Sequence, residues 1–202
     1  MNIIIRKTKK SEYYQTEYLT REAFWNLYQP GCCEHFILHN LRKSDSYISD
    51  LDLVAIYNND IIAHVISTKA KITNALNCEK EVLCLGPIAV KAEYRSKGVG
   101  TALINESIRN AGKVDFPAII LFGNPDYYKR FGFVNAEKFS ITTKDYQNFD
   151  AFMALELFEN SLKNINGSFF ESEAFSIKDS EMEFEKLFPY KEKLITETQF
   201  KH

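Results

Sequence analysis

The chain has 202 residues, of which 45% are hydrophobic and 26% charged, and its net charge is −2 at pH 7. This length and composition are those of a globular protein with one domain, or with one domain and an extension. Acidic and basic residues are balanced and the basic ones form no stripe, so neither nucleic acid nor an anionic membrane is a predicted partner. Any anionic ligand must then be held by a local group of donors.

The first residues, Met1 to Lys7, form an apolar run that is too short for a signal sequence or a membrane span, and they read as an opening strand. No later apolar run reaches the length of a transmembrane helix. The four cysteines have no framework spacing and no export signal precedes them, which favours reduced thiols in a cytoplasmic protein.

Apolar residues at helical spacing predict a first helix within residues 11–29, ended by Pro30-Gly31. Helices and strands interleave along the rest of the chain, which predicts the α/β class, as an α+β arrangement on a mixed sheet. The later elements are predicted as a helix over 33–42, strands over 52–57 and 61–72 joined by a turn at 58–60, a strand over 81–90, a helix over 98–111, a strand over 118–122, a short helix over 125–130, a strand over 152–157 and one helix in the last thirty residues.

A polar loop follows the strand over 81–90, and Arg95-Ser96-Lys97-Gly98-Val99-Gly100 then opens the next helix. Glycines at a helix start let a ligand approach backbone N–H groups closely, at the positive end of the helix dipole. The sequence therefore predicts an anion site, to which Arg95 and Lys97 add positive charge. A dinucleotide loop would need a third glycine where Leu103 stands, and a nucleoside-triphosphate loop would need Gly-Lys-Ser/Thr, so neither is favoured.

Pro87 interrupts the predicted strand over 81–90. Because proline cannot donate to a strand ladder, it favours a bulge or a gap between strands. Beside Gly86-Pro87, the backbone from Ile88 to Val90 would then be free to pair with an extended ligand that contains amides. Pantetheine is such a ligand, and in CoA it carries a pyrophosphate at its far end.

The segment after the strand over 118–122 predicts a second part of the same site. Asn124 is placed to cap a short helix, Pro125 suits the first helical position and Gly132 suits the end. This helix would carry Tyr127 and Tyr128 near the thiol end of the pantetheine slot. A phenol has an ordinary pKa of about 10, so it can donate a proton to a departing thiolate.

Together these segments resemble the GNAT superfamily of N-acetyltransferases. Arg95-x-x-Gly98-x-Gly100 is similar to the acetyl-CoA signature of that superfamily, and the segment 124–133 is similar to the aromatic segment that closes the same site. The chain also resembles a bacterial branch of predicted acetyltransferases at residues 24–28 and 68–70. The resemblance covers roughly residues 1–160, expected to be the GNAT domain, and leaves 161–202 as a C-terminal extension packed on that domain.

The resemblance implies direct transfer of an acetyl group from acetyl-CoA to a primary amine of a small molecule or a peptide, without a metal and without an acyl-enzyme. Tyr128 would be the general acid, and Glu81 is the nearest candidate for a general base. Trp25 and Tyr28 would contact the acceptor or lie in the core. The implied donor-binding residues are Ile88, Ala89, Val90, Arg95, Ser96, Lys97, Gly98, Val99, Gly100, Thr101, Asn124 and Tyr127.

Two questions stay open at this point. The rival function is an acyl-CoA-binding or sensing module without turnover, although a tyrosine at position 128 favours the enzyme. The acidic tail between Glu171 and Glu185 would be a solvated surface, a cover for a second copy in a homodimer, or a rim of the acceptor pocket.

The cysteines and histidines are explained most simply as structural residues. His35 and His39 lie one helical turn apart beside Cys32 and Cys33, but the spacing is not that of H-E-x-x-H, so no metal site is predicted. Cys84 has no readable catalytic partners, so a covalent mechanism is not favoured.

Overall fold

The computed structural model of the chain describes residues 1–176 and 181–200. Within them nine strands build one mixed sheet, and five α-helices cover or connect it, which confirms the predicted α/β class. The elements are β1 (Ile4–Lys7), α1 (Tyr13–Phe24), α2 (Glu34–Leu41), β2 (Asp52–Tyr57), β3 (Asp60–Thr73), β4 (Glu79–Val90), α3 (Val99–Ala111), β5 (Ala118–Phe122), α4 (Pro125–Tyr128), β6 (Val134–Asn135), β7 (Ile141–Thr143), β8 (Phe152–Glu156), β9 (Gly167–Phe170) and α5 (Glu181–Glu185).

The strands run in the order β1-β2-β3-β4-β5-β8-β6, and β9 pairs with both β3 and β7. Neighbours are antiparallel except for two parallel pairs, β4 with β5 and β7 with β9. The hairpin of β2 and β3 turns through Asn58 and Asn59, both at positive φ, as the predicted turn requires. α3 lies in the crossover connection that the parallel pair β4–β5 needs.

Helices cover both faces of the sheet because successive strand residues point to opposite sides. Leu53 of β2 packs in one core cluster with Val99 and Leu103 of α3, whereas its neighbour Val54 packs with Leu19 of α1. These side chains are at most 4% exposed, and burial of each contributes about 1.5–3 kcal/mol to stability. Among the described residues no helix is both long and apolar enough to cross a membrane.

A buried ionic cluster fixes the end of α2 against the sheet. Arg42 donates to both carboxylate oxygens of Asp52, from Nε at 2.9 Å and from Nη2 at 3.3 Å. His64 Nε2 lies 2.8 Å from Asp52 Oδ1, and both residues are fully buried. Burial would raise the pKa of Asp52, but His64 and Arg42 outweigh this effect and hold it well below its usual range. Loss of Arg42 would leave the buried Asp52 carboxylate without its guanidinium partner, so the cluster ties α2 to β2 and β3.

The first helix ends earlier than its spacing predicts. α1 stops at Phe24 because Asn26 adopts a left-handed conformation, with φ at +60°. The Asn26 N donates to the Gly31 O at 2.8 Å, and the Asn26 Oδ1 accepts from the Gly31 N at 2.7 Å, which closes a tight loop. Asparagine tolerates this φ because its short amide bonds locally. The prediction of helical structure up to residue 29 was therefore wrong.

The C-terminal extension is part of the same packed unit as the rest of the described chain. Its strand β9 joins the sheet beside β3, and further on Phe184 and Phe188 pack with Phe36 of α2. Arg21 of α1, which is 1% exposed, donates to the Glu185 Oε1 from Nε at 2.8 Å and from Nη2 at 2.5 Å. The extension thus reaches back to α1 and α2.

Candidate active site

β4 changes its surroundings halfway along its length. Leu83 and Cys84 are paired on both edges, with β3 on one side and with Ile119 and Ile120 of β5 on the other. Beyond Cys84 the pairing with β5 ends, and the pairing with β3 shifts register around Gly86-Pro87. A gap therefore opens between β4 and β5, as Pro87 predicts.

The first turn of α3 lies at one end of this gap. Ser96 and Gly98 have φ values of +58° and +82°, which turn the chain sharply into the helix. Val99 is 1% exposed and anchors the turn in the core, while the amides of the first helical residues have no partner within the helix. At Gly100 an added Cβ would lie 2.8 Å from the Tyr127 hydroxyl. A side chain there would have to displace Tyr127, whereas glycine lets the turn present bare backbone to the gap.

Arg95 fastens the loop before α3 to two other elements. Its Nη2 donates to the Ala23 O near the end of α1 at 2.9 Å, and its Nε donates to the Val90 O at the end of β4 at 3.3 Å. Lys97 is exposed, with its Nζ 5.7 Å from the centre of the Tyr94 ring. Arg95 thus fixes the conformation of the loop, and Lys97 lies on the surface beside the unpaired amides at the start of α3.

The short helix α4 has the caps that the sequence predicts. The Asn124 Oδ1 accepts a backbone N–H of the first turn at 2.9 Å, Pro125 opens the helix, and the chain leaves through Gly132 at φ +92°. These residues satisfy the helix ends without help from elsewhere. They hold Tyr127 and Tyr128 at the gap, with the two rings at 87° to each other.

The Tyr128 side chain is buried, at 8% exposure. Its ring lies against the backbone of Gly123, where any added Cβ would overlap it, and it packs edge-on against Phe133. Burial, and after it the neighbouring Tyr127 and Tyr28, raises the pKa of the Tyr128 hydroxyl above its usual range. The hydroxyl therefore keeps its proton throughout the neutral pH range.

A cleft follows the gap between the strands. Its larger part is a cavity of about 670 Å³ with Tyr128 in its wall, and a smaller part of about 240 Å³ reaches Arg95 and Gly100 at α3. The two parts share four wall residues, so they lie side by side between the α3 turn and Tyr128. The shared residues are Phe24, Tyr28, Ile88 and Tyr127.

Most of the predicted site residues lie along this cleft, and they fall into three groups. Those at the α3 end are Ala89, Val90, Arg95 and Gly100. Those in the larger cavity are Tyr28, Ile88, Asn124, Tyr127 and Tyr128. Those in the loop and first turn that frame the α3 end are Ser96, Lys97, Gly98, Val99 and Thr101.

Two predicted residues lie elsewhere. Trp25 comes directly after Phe24, the last residue of α1. Its Nε1 donates to the Glu192 O at 2.9 Å, and its side chain lines a different cavity formed with residues 185–193. Glu81 is exposed in the first part of β4, opposite Lys71 and before the gap opens. The structure brings neither side chain to the cleft.

The sequence interpretation missed several residues in the wall of the larger cavity. Glu34 and Ile37 come from α2, and Glu171 and Phe175 come from the C-terminal extension. The only local signal for Glu171 is an acid directly after the apolar pair Phe169-Phe170. Glu171, the first residue of the acidic tail, therefore lies in the cavity wall, and the role of the rest of the tail stays a prediction.

The cysteines and histidines around α2 make contacts within the fold. Cys32 Sγ lies 3.5 Å from His35 Nδ1, and His35 Nε2 lies 2.9 Å from Glu185 Oε2. Burial lowers the pKa of His35 to about 4, so the ring is neutral at neutral pH. In the cleft, burial raises the pKa of the Cys84 thiol above its usual range, and the group stays a thiol.

Residues 51–135 match the family model described as the acetyltransferase (GNAT) domain. The matched stretch holds the gap between β4 and β5, the α3 turn and α4. The chain contains a GNAT acetyltransferase domain. This finding confirms the recognition made from residues 95–100 and 124–133, and with it the assignment to the N-acetyltransferase class of enzymes.

Two relatives of this chain carry N-acetyltransferase names. It is 24% identical over 132 residues to the uncharacterized N-acetyltransferase YhbS of Escherichia coli strain K12, which covers 65% of this chain and 76% of that protein. It is 28% identical over 97 residues to the uncharacterized N-acetyltransferase YjhQ of the same strain, which covers 48% of this chain and 53% of that protein.

Solved GNAT structures share the fold. The crystal structure of YhbS from Escherichia coli in complex with CoA has a TM-score of 0.76 at 22% identity, over 87% of this chain and 92% of that chain. A GNAT acetyltransferase from Brucella melitensis in complex with acetyl-CoA has a TM-score of 0.70 at 22% identity, over 87% of this chain and 99% of that chain. The long overlap in both cases confirms the predicted GNAT-like fold.

Proposed function

We propose that the protein transfers an acetyl group from acetyl-CoA directly to a primary amine of a small molecule or a peptide. The observation that carries this proposal is the cleft formed by the two adjoining cavities, which has unpaired helix amides at one end and a protonated phenol at the other. The CoA and acetyl-CoA bound by the two solved GNAT proteins support the same donor. No metal is required for this reaction.

The donor would occupy the cleft along its length. Its pyrophosphate would accept hydrogen bonds from the amides of Val99, Gly100 and Thr101 at the positive end of α3. Its pantetheine arm would run along Ile88 to Val90, because β3 pairs with one edge of these residues and the other edge faces the gap. Amide groups of the arm would satisfy that open edge, which is otherwise a cost to the fold.

Tyr128 would protonate the leaving sulfur. When the amine attacks, the C–N bond forms, the C–S bond breaks and the departing thiolate needs a proton. The apolar surroundings that raise the pKa of Tyr128 also disfavour a free thiolate, so transfer between the two groups is favoured in the cleft. The proton that nitrogen loses on becoming an amide balances the one that Tyr128 gives up.

The acceptor would enter through the wider cavity, where Tyr28 forms part of the wall. Tyr28 therefore keeps its proposed role as an acceptor contact. Trp25 takes no part in that wall, so it is not proposed as one. Because the cavity is bounded by aromatic side chains such as Phe24 and Phe122, it suits an amine with an apolar body close to the nitrogen.

The test is release of free CoA from acetyl-CoA, measured across a panel of polyamines, aminoglycosides, amino acids and peptides. Tyr128→Phe should lower kcat by about a hundredfold to ten-thousandfold, because only the proton donor is lost. Tyr127→Phe is the matched control and should be mild, since the Tyr127 hydroxyl lies toward Gly100.

Three results would count against the proposal. Binding of acetyl-CoA without turnover of any amine would favour the rival function, a sensing or binding module. A larger loss in Tyr127→Phe than in Tyr128→Phe would assign the acid to the neighbouring tyrosine. Full activity in both variants would assign protonation of the thiolate to water.

A further inference from the structure

The wall of the larger cavity includes a carboxylate that the C-terminal extension supplies. β9 pairs with β3, with Phe170 opposite Lys71, and the next residue, Glu171, leaves the sheet at the cavity. Phe175, four positions later, lines the same cavity. The segment between them is held by Ser172, whose Oγ accepts a hydrogen bond from the Ser46 Oγ at 3.0 Å.

Glu171 lines the larger cavity together with Cys84, and Cys84 is the last residue of β4 that pairs with β5. Glu171 therefore lies near the point where the strands part. The other charged or titratable groups that face it or share its cavity are Lys144, Glu34, Tyr28, Tyr127 and Tyr128.

We propose that Glu171 is the general base of the transfer, a role that rests on the proposed function. The acceptor enters as an ammonium ion and gives one proton to the Glu171 carboxylate. The neutral amine then attacks the carbonyl carbon of the thioester, and CoA leaves with the proton from Tyr128. Overall the ammonium and acetyl-CoA give the amide, CoA and one proton, which Glu171 passes to solvent.

The surroundings of Glu171 suit a base that works at neutral pH. Glu171 is exposed to solvent at the cavity wall. Partial desolvation by the surrounding residues still raises the pKa of its carboxyl, and the nearby charge of Lys144 offsets this effect only in part. A carboxylate with a raised pKa accepts a proton from an ammonium ion more readily than an ordinary one. Its basic form is present above the raised pKa and is lost as the pH falls through it, so turnover should fall toward acid pH.

Two other carboxylates are less suitable. Glu34 also lines the cavity, but its Oε2 accepts the backbone N–H of Cys33 at 3.0 Å, which occupies that oxygen at the start of α2. Glu81 lies outside the cavity wall, in the part of β4 before the gap. Glu171 is therefore the carboxylate that we assign to proton removal.

The test is Glu171→Gln, assayed for CoA release with the best amine of the panel across pH. We expect kcat/KM to fall by about a hundredfold to ten-thousandfold at neutral pH, while the Kd for acetyl-CoA stays unchanged. The fall of kcat/KM at acid pH that protonation of Glu171 causes (the acid limb of the pH profile) should also disappear. The remaining rate should then rise with pH as the amine loses its own proton. Glu173→Gln is the matched control, because Glu173 is likewise exposed on the same segment but does not line the cavity.

Several outcomes would overturn the assignment. A Glu171→Gln protein with unchanged kcat/KM and an unchanged pH profile would do so, as would a larger loss in Glu34→Gln. If Glu171→Gln does not fold, Glu171→Asp retains the carboxylate and should keep the acid limb, and loss of that limb would count against the role. Wild-type protein that binds acetyl-CoA but acetylates no amine would instead refute the proposed function, and this inference with it.

Discussion

The two halves of β4 both pair with β3 and have opposite uses. From Glu79 to Cys84 the strand pairs with β3, and its last two residues, Leu83 and Cys84, also pair with β5 and are buried. From Leu85 to Val90 it keeps β3 on one edge and exposes the other edge to the cleft. Unpaired backbone is costly in a folded protein, so the paired half must hold the open half in place. Binding capacity here comes from an interrupted sheet.

The largest expected effect is on stability, in the paired half. Leu83→Ala should lower the free energy of unfolding by about 2–5 kcal/mol, because Leu83 has no solvent exposure and the surrounding core cannot collapse fully around the cavity left behind. Thermal or denaturant unfolding measures this loss. The Kd for acetyl-CoA of the folded protein should not change.

Glu81→Gln, two positions earlier on β4, is the control for that variant. Glu81 is exposed, so both stability and turnover should stay near wild type. A strong loss of turnover in Glu81→Gln would restore Glu81 as the general base and remove Glu171 from that role.

The next effect is on donor binding, in the open half. Gly100→Val should weaken acetyl-CoA binding by roughly a hundredfold or more, because the side chain would displace Tyr127 and cover the amides at the start of α3. Isothermal titration calorimetry measures the loss. Gly112→Ala, at the other end of α3, is the control, since its Cβ would make only ordinary contacts at 3.6 Å and beyond. Unchanged affinity in Gly100→Val would move the pyrophosphate to another place.

The smallest effect is on the acceptor side. Asn26→Ala should raise the KM for the amine roughly three- to tenfold, because the loop that carries Tyr28 loses hydrogen bonds worth about 1 kcal/mol each. Acetyl-CoA binding should change less than this. Asn77→Ala removes another left-handed asparagine, in the turn before β4, and controls for the general cost to stability. An equal rise in KM in both variants would show that the loop of Asn26 and Tyr28 has no specific role in acceptor binding.

The donor end of the site was readable from the sequence because it is built from one continuous stretch. Backbone geometry requires Gly98 and Gly100 at the start of α3, and the ends of α4 require Asn124 and Gly132. The residue types and their spacing were therefore enough to predict this end of the site. The same reasoning predicted the helix over 98–111 and the strand over 152–157 nearly to their ends.

The acceptor end could not be read in the same way, because it joins segments that are distant in the sequence. Glu171 reaches the cavity only through the pairing of β9 with β3, and neither short strand β7 nor β9 has a clear apolar period. Trp25 was misplaced because a single residue, Asn26, ends the helical path that the spacing suggests. The division into a domain over 1–160 and an extension over 161–202 stays a prediction.

The loop over the acceptor cavity also has a consequence for the order in which the site is completed during synthesis. The Asn26 Oδ1 accepts from the Leu194 N at 3.1 Å, and the Asn26 O accepts from the Gln199 Nε2 at 3.0 Å. A ribosome makes these partners more than 160 residues after Asn26, whereas every residue of the donor turn and α4 has been made by Gly132. A nascent chain can thus form its donor site first, and the loop that carries Tyr28 is fastened only when the last segment emerges.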